Sequence, residues 1–266
     1  MLSRILAMFL LSIPVYAQLS TRPVGLSITA VSPRPHAARV SLGPAATQLG
    51  DIKIYESSNL SGYAVVGEEF TEASGSWIVP AVNCAASPYG SASFWVGIDG
   101  WSNATVEQTG IEAGCNDQQP YYCAWYEFAP KPGVTITSVP VNPGDNISAS
   151  VTYDPSGFTV TMTNLTTGKS YSFTATVPEA RRASAEWIVE LNGAYGLTDF
   201  NAVRFGSDFT SAESTNSATN STTSGPIGAF GDSVQGSVIV NNQREQAVPS
   251  FLSLDGTSFT VTWWAR

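Results

Sequence analysis

Most of the chain after about Asn59 consists of short runs in which apolar and polar residues alternate. An alternation with a period of two is typical of β-strands, because successive side chains of a strand point to opposite faces. Gly, Pro and Asn separate the runs, so the pattern predicts many strands joined by turns. The runs are GYAVVG, SGSWIVP, ASFWVGI, TVEQTG, YYCAWYEF, GVTITSV, ISASVTY, FTVTMTN, SYSFTATV, AEWIVE, SVIVNN and FTVTWWA.

This spacing predicts an all-β fold in which two antiparallel sheets pack as a sandwich. Helical periodicity is scarce, and residues 179–186 are the only weak helix candidate. Residues 211–225, SAESTNSATNSTTSG, are polar and of low complexity, which indicates a surface loop.

Two carboxylates stand four positions apart in the segment SAEWIVE, residues 184–190. In a helix they would be like charges one turn apart, which is unfavourable. The aromatic and β-branched residues between them favour a strand instead. Glu186 and Glu190 then share one face and lie about 13 Å apart along the strand, so a catalytic partner for either must come from another strand.

The same alternation places further polar and aromatic residues on one face of the neighbouring strands. We expect this face to form a groove that binds a polymer, because its aromatic rings and carboxylates converge from several strands. The residues of this predicted face are Trp95, Asp99, Gln108, Trp125, Glu127 and Glu190.

The length of 266 residues and the 43% hydrophobic content suffice for one sizeable core. Residues 1–17, MLSRILAMFLLSIPVYA, combine an early Arg4, an apolar stretch and a final Ala17, which is typical of a secretory signal peptide. No later apolar run approaches the length of a membrane span. We therefore expect an exported, soluble protein.

Charge is distributed unevenly along the chain. Four of the 12 basic residues, and none of the 21 acidic residues, lie in the first 50 positions. The acidic remainder should repel nucleic acid and anionic membranes. The proline-rich segment 18–50 is predicted to be a pro-segment or flexible arm, and residues 51–266 a single β-sandwich catalytic domain.

The chain has three cysteines. Cys115 and Cys123 flank a short loop, and an exported protein permits a disulfide there. Cys84 is then left over. A free thiol or a different pairing stays open, because sequence spacing alone does not fix connectivity.

The single histidine, His36, lies in the proline-rich leader. A Ser-His-Asp or Cys-His apparatus requires an imidazole within the site, and a catalytic zinc site usually needs two or three. The sequence also lacks a P-loop and a G-x-G-x-x-G motif. We therefore expect chemistry that uses carboxylates, amides, hydroxyls and aromatic rings, with no metal and no cofactor.

A series of short motifs follows in order along the chain. The motifs are NLSGYAV (59–65), SGSWIVP (74–80), FWVGIDG (94–100), EQTG (107–110), AWYEF (124–128), AEWIVE (185–190), SGPIGAFGDS (224–233) and VIVNN (238–242). In this order they resemble the glutamic peptidases, the eqolisin family of secreted acid proteases. Each motif alone is weak evidence, but the ordered set is specific.

The resemblance implies two curved antiparallel sheets packed as a lectin-like (concanavalin-like) β-sandwich, in agreement with the strand pattern. It also implies that Gln108 of the Q-T-G motif and Glu190 form the catalytic dyad of an acid endopeptidase, with Glu186 as a neighbour rather than the base. We expect a monomer that acts on polypeptides. The substrate-binding residues implied are Gly62, Trp95, Asp99, Trp125 and Glu127.

One departure from the family pattern concerns the edge of the cleft. Leu60 stands where the N-W-x-G motif of the family usually has Trp, so the indole at this edge is missing. Substrate preference is therefore open.

Two other functions are compatible with a lectin-like sandwich. A glycosidase would use two carboxylates across an aromatic-lined groove, for which Glu127 and Glu190 are candidates. A non-catalytic lectin or adhesin would use the tryptophans as binding platforms.

Several carboxylates crowded on one face raise one another's pKa by mutual repulsion. We therefore expect an acidic pH optimum and poor stability at neutral pH. We also hypothesise that the basic leader covers the acidic cleft until protonation of the carboxylates weakens the attraction and permits its cleavage.

Overall fold

The computed structural model describes residues 45–49, 51–193 and 195–264. The predicted signal peptide, residues 1–17, lies outside these ranges, as does the part of the leader that was expected to cover the cleft. Ala45–Leu49, within the segment predicted as a pro-segment or arm, form a strand. No helix in the described ranges is long and apolar enough to cross a bilayer.

The secondary structure of the described residues consists of strands and a single 3-10 helix, Ile227–Ser233. The strands are β1 (Ala45–Leu49), β2 (Ile52–Ser57), β3 (Leu60–Val66), β4 (Phe70–Ile78), β5 (Ser91–Ile98), β6 (Val106–Asn116), β7 (Gln119–Ala129), β8 (Val134–Thr135), β9 (Asn146–Asp154), β10 (Gly157–Asn164), β11 (Lys169–Ala175), β12 (Ser184–Leu191), β13 (Ala202–Phe205), β14 (Thr210–Asn216), β15 (Ser221–Gly225), β16 (Val234–Asn241), β17 (Arg244–Pro249) and β18 (Phe259–Trp263).

Within the described ranges, twelve strands form a large sheet and six form a small one. The large sheet has the order β13-β18-β17-β16-β3-β12-β5-β6-β7-β8, with β2 paired to β16 and β1 paired to β2. The small sheet has the order β11-β10-β9-β4-β14-β15. All recorded strand pairs are antiparallel except β2 and β16, which are parallel. The predicted sandwich of antiparallel sheets is confirmed, with this one parallel pair added.

The core lies between the sheets and follows the two-residue alternation. In β5, Phe94, Val96 and Ile98 belong to the core cluster, whereas the residues between them face the other side of the large sheet. Trp187 of β12 is fully buried, and its indole N–H donates to the carbonyl oxygen of Ser74 in the small sheet at 2.8 Å. Burying an apolar side chain of this size stabilises the fold by roughly 1.5–3 kcal/mol.

Each alternating run of the sequence overlaps a strand, but two other predictions are wrong. Residues 211–225 are not a loop, because most of them belong to the hairpin of β14 and β15. The hydroxyls of Thr215 and Thr222 meet across this hairpin at 3.2 Å. Its side chains are largely polar and exposed, so no apolar alternation marked it. The weak helix candidate 179–186 runs instead into β12, which pairs with β3 and β5.

The disulfide joins Cys84 to Cys115, and Cys123 is a free thiol. The pairing of Cys115 with Cys123 that the spacing suggested is therefore wrong. In the β6–β7 hairpin, Cys115 lies opposite Pro120 and Cys123 lies opposite Glu112. Because Glu112 and Cys115 are three positions apart in one strand, the two cysteines point to opposite faces of the sheet.

We predict that Cys115→Ser lowers the free energy of unfolding by about 3–4 kcal/mol, because the bond closes a loop with a sequence separation of 31. Cys123→Ser should change it by less than about 1 kcal/mol. Urea unfolding of both variants measures the difference. Peptide mapping of the denatured, non-reduced protein should find one alkylated cysteine, Cys123. Alkylation of Cys84 instead would refute the assigned pairing.

Candidate active site

The strands β7, β6, β5, β12 and β3 are consecutive neighbours in the large sheet, and their outward faces form the candidate site. Strand register arranges the outward residues in three rows that cross the strands, which we name the amide row, the indole row and the acid row. The amide row is Glu127, Gln108, Gly97 and Glu186; the indole row is Trp125, Gly110, Trp95, Ile188 and Gly62; the acid row is Glu112, Ser93 and Glu190.

Gln108 and Glu190 therefore lie on the same face of the same sheet, separated by β5. They are not in the same row. The residue of β12 in the row of Gln108 is Glu186, and Glu190 lies four residues further along that strand. This offset corresponds to roughly 13 Å along the strand direction. Both side chains must lean across the indole row for one water molecule to contact them.

Gln108 is held by the strand next to it. Its Nε2 donates to Oε2 of Glu127 at 2.8 Å, and both residues are buried, with exposed fractions of 1% and 2%. Oε1 of Gln108 has no hydrogen-bond partner within the described ranges. The carbonyl end of the amide is thus the end available to a ligand.

Glu190 is held by two donors. The indole Nε1 of Trp95 donates to its Oε2 at 3.1 Å, and Nδ2 of Asn59 approaches its Oε1 at 3.4 Å. These two contacts fix the orientation of the carboxylate. Trp95, which was predicted to contact substrate, also orients this carboxylate through its indole N–H.

Asp99 occupies a different environment from the cleft in which the sequence pattern placed it. It has no exposed surface, and its carboxylate accepts hydrogen bonds from the backbone N–H groups of Arg181, Arg182 and Ala183 at 2.7–2.8 Å. The Nδ2 of Asn103 also donates to it, at 2.6 Å. Asp99 follows the end of β5 with a φ of 66°, which breaks the strand alternation. Its contacts anchor the segment that leads into β12.

Trp125 and Gly62 lie at opposite ends of the indole row. Trp125 is fully buried and packs with Trp95 in a second apolar cluster, on the outward face of the large sheet. Gly62 has a φ of 149°, and a Cβ at this position would lie 2.2 Å from the carbonyl oxygen of Trp187. The glycine is therefore required for the close approach of β3 to β12.

Two further carboxyl groups, those of Glu186 and Glu107, are buried near the proposed dyad and have oxygens without hydrogen-bond partners within the described ranges. Glu186 has no exposed surface; Ser184 donates to its Oε1, but its Oε2 has no partner within the described ranges. Burial raises the pKa of Glu186 to about 8, with smaller contributions from Asp99 and Glu190. Glu107 points to the core side, and neither of its oxygens has a hydrogen-bond partner in the described part of the chain. Burial, together with repulsion from Asp99, raises the pKa of Glu107 to about 9.

Some residues of this face were missed by the sequence reasoning. Glu112 and Ser93 share the acid row with Glu190, and the Tyr121 hydroxyl donates to Glu112 Oε1 at 2.7 Å. The alternation Gln108, Gly110, Glu112 could have identified Glu112. Asn59 lies in the turn between β2 and β3, where no periodicity points to a contact with Glu190.

The described ranges contain no group of three or more His, Cys, Asp or Glu side chains arranged to hold a metal ion.

A sequence model of the peptidase A4 family matches residues 58–263. Aspergillopepsin-2 of Aspergillus niger is 32% identical over 235 residues, which cover 78% of this chain and 78% of that protein. Scytalidopepsin B of Scytalidium lignicola is 32% identical over 198 residues, covering 70% of this chain and 72% of that protein.

Solved structures agree in fold. The crystal structure of scytalido-glutamic peptidase with a transition state analog inhibitor matches with a TM-score of 0.64 at 24% identity, over 78% of this chain and 98% of that one. Aspergilloglutamic peptidase from Aspergillus niger matches with a TM-score of 0.53 at 30% identity, over 65% of this chain and 99% of that one. The two-sheet sandwich is thus shared along nearly the full length of both structures.

We predict that the folded protein loses stability as the pH rises from about 4.5 to about 9. Glu107 and Glu186 ionise near pH 4.5 in the unfolded chain but stay protonated in the fold up to about 9 and 8. In this window the folded state binds more protons than the unfolded state, so stability falls by roughly 1 kcal/mol per pH unit for each group. Below pH 4.5 the two groups should add no slope.

Urea unfolding between pH 3 and 9 tests this expectation. Glu107→Gln and Glu186→Gln should each flatten the decline, because an amide has no proton to lose. Glu245→Gln, at an exposed position of β17, is the matched control and should leave the slope unchanged. Unchanged slopes in both buried variants would show that these carboxyls are not the source of the pH dependence.

Proposed function

The chain belongs to the peptidase A4 family of glutamic peptidases, the eqolisins, and from this premise we propose that it is an exported acid endopeptidase with a Gln108/Glu190 dyad. The proposal includes direct attack of water on the peptide bond, with no covalent intermediate and no metal. One observation carries it: both side chains lie on one face of the large sheet, and each is oriented by hydrogen bonding with a neighbour, Glu190 as acceptor from Trp95 and Gln108 as donor to Glu127.

Glu190 acts in this proposal first as general base and then as general acid. Its carboxylate takes a proton from water while the water oxygen bonds to the carbonyl carbon of the substrate. The resulting tetrahedral intermediate carries negative charge on the former carbonyl oxygen. Glu190 then returns the proton to the amide nitrogen, the C–N bond breaks, and an amine and a carboxylic acid are released.

Gln108 acts through both ends of its amide. Oε1, which has no partner within the described ranges, accepts a hydrogen bond from the attacking water. The second N–H of Nε2, the one not donated to Glu127, stabilises the oxyanion. A carboxamide suits this task at acidic pH because it carries no charge that protonation would change.

Strand register places Glu186, not Glu190, directly in line with Gln108, with only Gly97 between them. We nevertheless assign the base to Glu190. Burial raises the pKa of Glu186 to about 8, so Glu186 is protonated at acidic pH and cannot take a proton from water. The Glu190 carboxylate is oriented by the Trp95 indole and the Asn59 amide.

The substrate in this proposal is a polypeptide that lies along the indole row. Trp95 and Trp125 form the apolar wall of that row, and Gly62 stands at its end. Asp99 contributes by anchoring the segment before β12 rather than by touching substrate. We propose a monomer, and export from the cell by the predicted signal peptide.

The glycosidase and lectin alternatives are not retained, because the relatives of this chain are named as peptidases. Glu127, which a glycosidase would need as an acid or nucleophile, has its carboxylate engaged by Gln108. Acid-denatured protein at about pH 3–4, with pepstatin present, is therefore the substrate of choice, since this range lies close to the ordinary pKa of Glu.

We predict that Gln108→Ala lowers kcat by about 10²–10³-fold, and Glu190→Gln by about 10³-fold or more, at pH 3.5. Glu186→Gln should cost less than about fivefold, because it replaces a neutral carboxyl by a neutral amide of the same shape. Release of peptides from a denatured protein measures all three. A dead Glu186→Gln beside an active Glu190→Gln would move the base to Glu186.

We also predict that kcat/KM is greatest below pH 5 and falls towards neutrality. The folded enzyme loses stability over this range, because Glu107 and Glu186 ionise from about pH 4.5 in the unfolded chain but stay protonated in the fold. A pH profile on one fluorogenic peptide measures the optimum. Highest activity above pH 7 would contradict the proposed acid mechanism.

A further inference from the structure

The hydrogen bond between Gln108 and Glu127 joins two buried side chains that are direct cross-strand partners. Gln108 of β6 and Glu127 of β7 are opposed in register, and Nε2 of the amide lies 2.8 Å from Oε2 of the carboxylate. On the other side of Gln108 in the amide row lies Gly97, which has no side chain to compete for the amide.

The two ends of a glutamine amide have nearly the same shape but opposite hydrogen-bonding character. Oxygen only accepts, whereas nitrogen only donates. Oε2 of Glu127 is an acceptor in this contact, so it binds the nitrogen end and repels the oxygen end. A reversed amide would set two acceptors against each other in a buried site, which costs about 1–3 kcal/mol or more.

We infer that Glu127 is a positioning residue for the proposed reaction: its carboxylate selects the amide orientation in which Gln108 presents its oxygen towards β5 and β12. This inference rests on the proposed role of Gln108. Glu190 lies on β12, so the selected orientation points the accepting oxygen to the side from which the base would activate water. Without Glu127, both orientations of the amide become available and only one is productive.

A direct contact of Glu127 with substrate is the alternative role, and it was the expectation from sequence. Oε2 of Glu127 already accepts a hydrogen bond from Gln108, which ties this carboxyl to the proposed catalytic amide. The two roles make different kinetic predictions. A substrate contact affects KM, whereas the orientation of Gln108 affects the chemical step and therefore kcat.

The test compares Glu127→Leu with Glu127→Gln on one peptide at pH 3.5. Leucine removes the acceptor, and we expect kcat to fall by about 10–100-fold while KM changes by less than about threefold. Glutamine keeps a carbonyl oxygen that accepts from Nε2 but also carries an N–H that can donate to a reversed Gln108 amide, so kcat should recover only in part, to a value between those of Glu127→Leu and the parent enzyme. Equal losses in the two variants, or losses mainly in KM, would overturn the positioning role.

Glu245→Gln, at an exposed position of β17, serves as the matched control for loss of one acidic group. Gln108→Ala in the same assay tests the proposed dyad separately from the role of Glu127. Should Gln108→Ala stay active, the proposed dyad fails. Should Gln108→Ala be inactive while Glu127→Leu keeps the parent kcat, the dyad survives and only the role of Glu127 is refuted.

A spectroscopic measurement covers the case in which Glu127→Leu folds poorly. In protein labelled with ¹⁵N-glutamine, the Gln108 side-chain amide is the signal pair that Gln108→Ala removes. One of its two protons should be shifted downfield by the carboxylate in the parent protein, and this shift should shrink in the folded Glu127→Gln variant. Two equivalent, unshifted protons in the parent protein would refute the hydrogen bond on which the inference stands.

Discussion

The strands that carry the candidate site are buried on both faces, and this double burial is the constraint on which the other properties depend. In β5, β6 and β12, almost every residue is buried. One face packs against the small sheet, and the other forms the apolar cluster around Trp95 and Trp125. Any carboxyl group on these strands must therefore be hydrogen-bonded or neutral, because an isolated buried charge is too costly.

The carboxyl groups of the site divide according to the partners that the fold supplies. Asp99 accepts hydrogen bonds from three backbone N–H groups. Glu107 and Glu186 have oxygens without partners in the described part of the chain, and burial raises their pKa values to about 9 and 8. Packing thus links the fold to acidic conditions: the same burial that shapes the site favours protonated carboxyls beneath it. At acidic pH these buried carboxyls are protonated in the folded and the unfolded chain alike, so their burial does not reduce the stability of an acid peptidase.

The two proposed catalytic groups are oriented by neighbours rather than by each other. Trp95 and Asn59 hold Glu190, while Glu127 holds Gln108. These three contacts come from β5, from β7 and from the turn before β3, so the geometry of the proposed dyad depends on the register of the large sheet. The sheet therefore acts as a rigid support, as a preorganised site requires. At the edge of the proposed cleft, Leu60 stands where the family motif usually has Trp, and Trp95 and Trp125 are the tryptophans of the indole row.

The alternation of residues by itself determined the fold class, eight of the twelve described strands of the large sheet and the face on which Gln108 and Glu190 lie, because side-chain direction in a strand is a local property of the backbone. The ordered motifs determined the family. Only the tertiary structure decided which residues become neighbours: Cys84 with Cys115, Glu127 with Gln108, and Asp99 with the segment before β12. Such contacts depend on strand register and on loops that leave the two-residue period, and neither is encoded in the spacing of residues along one strand.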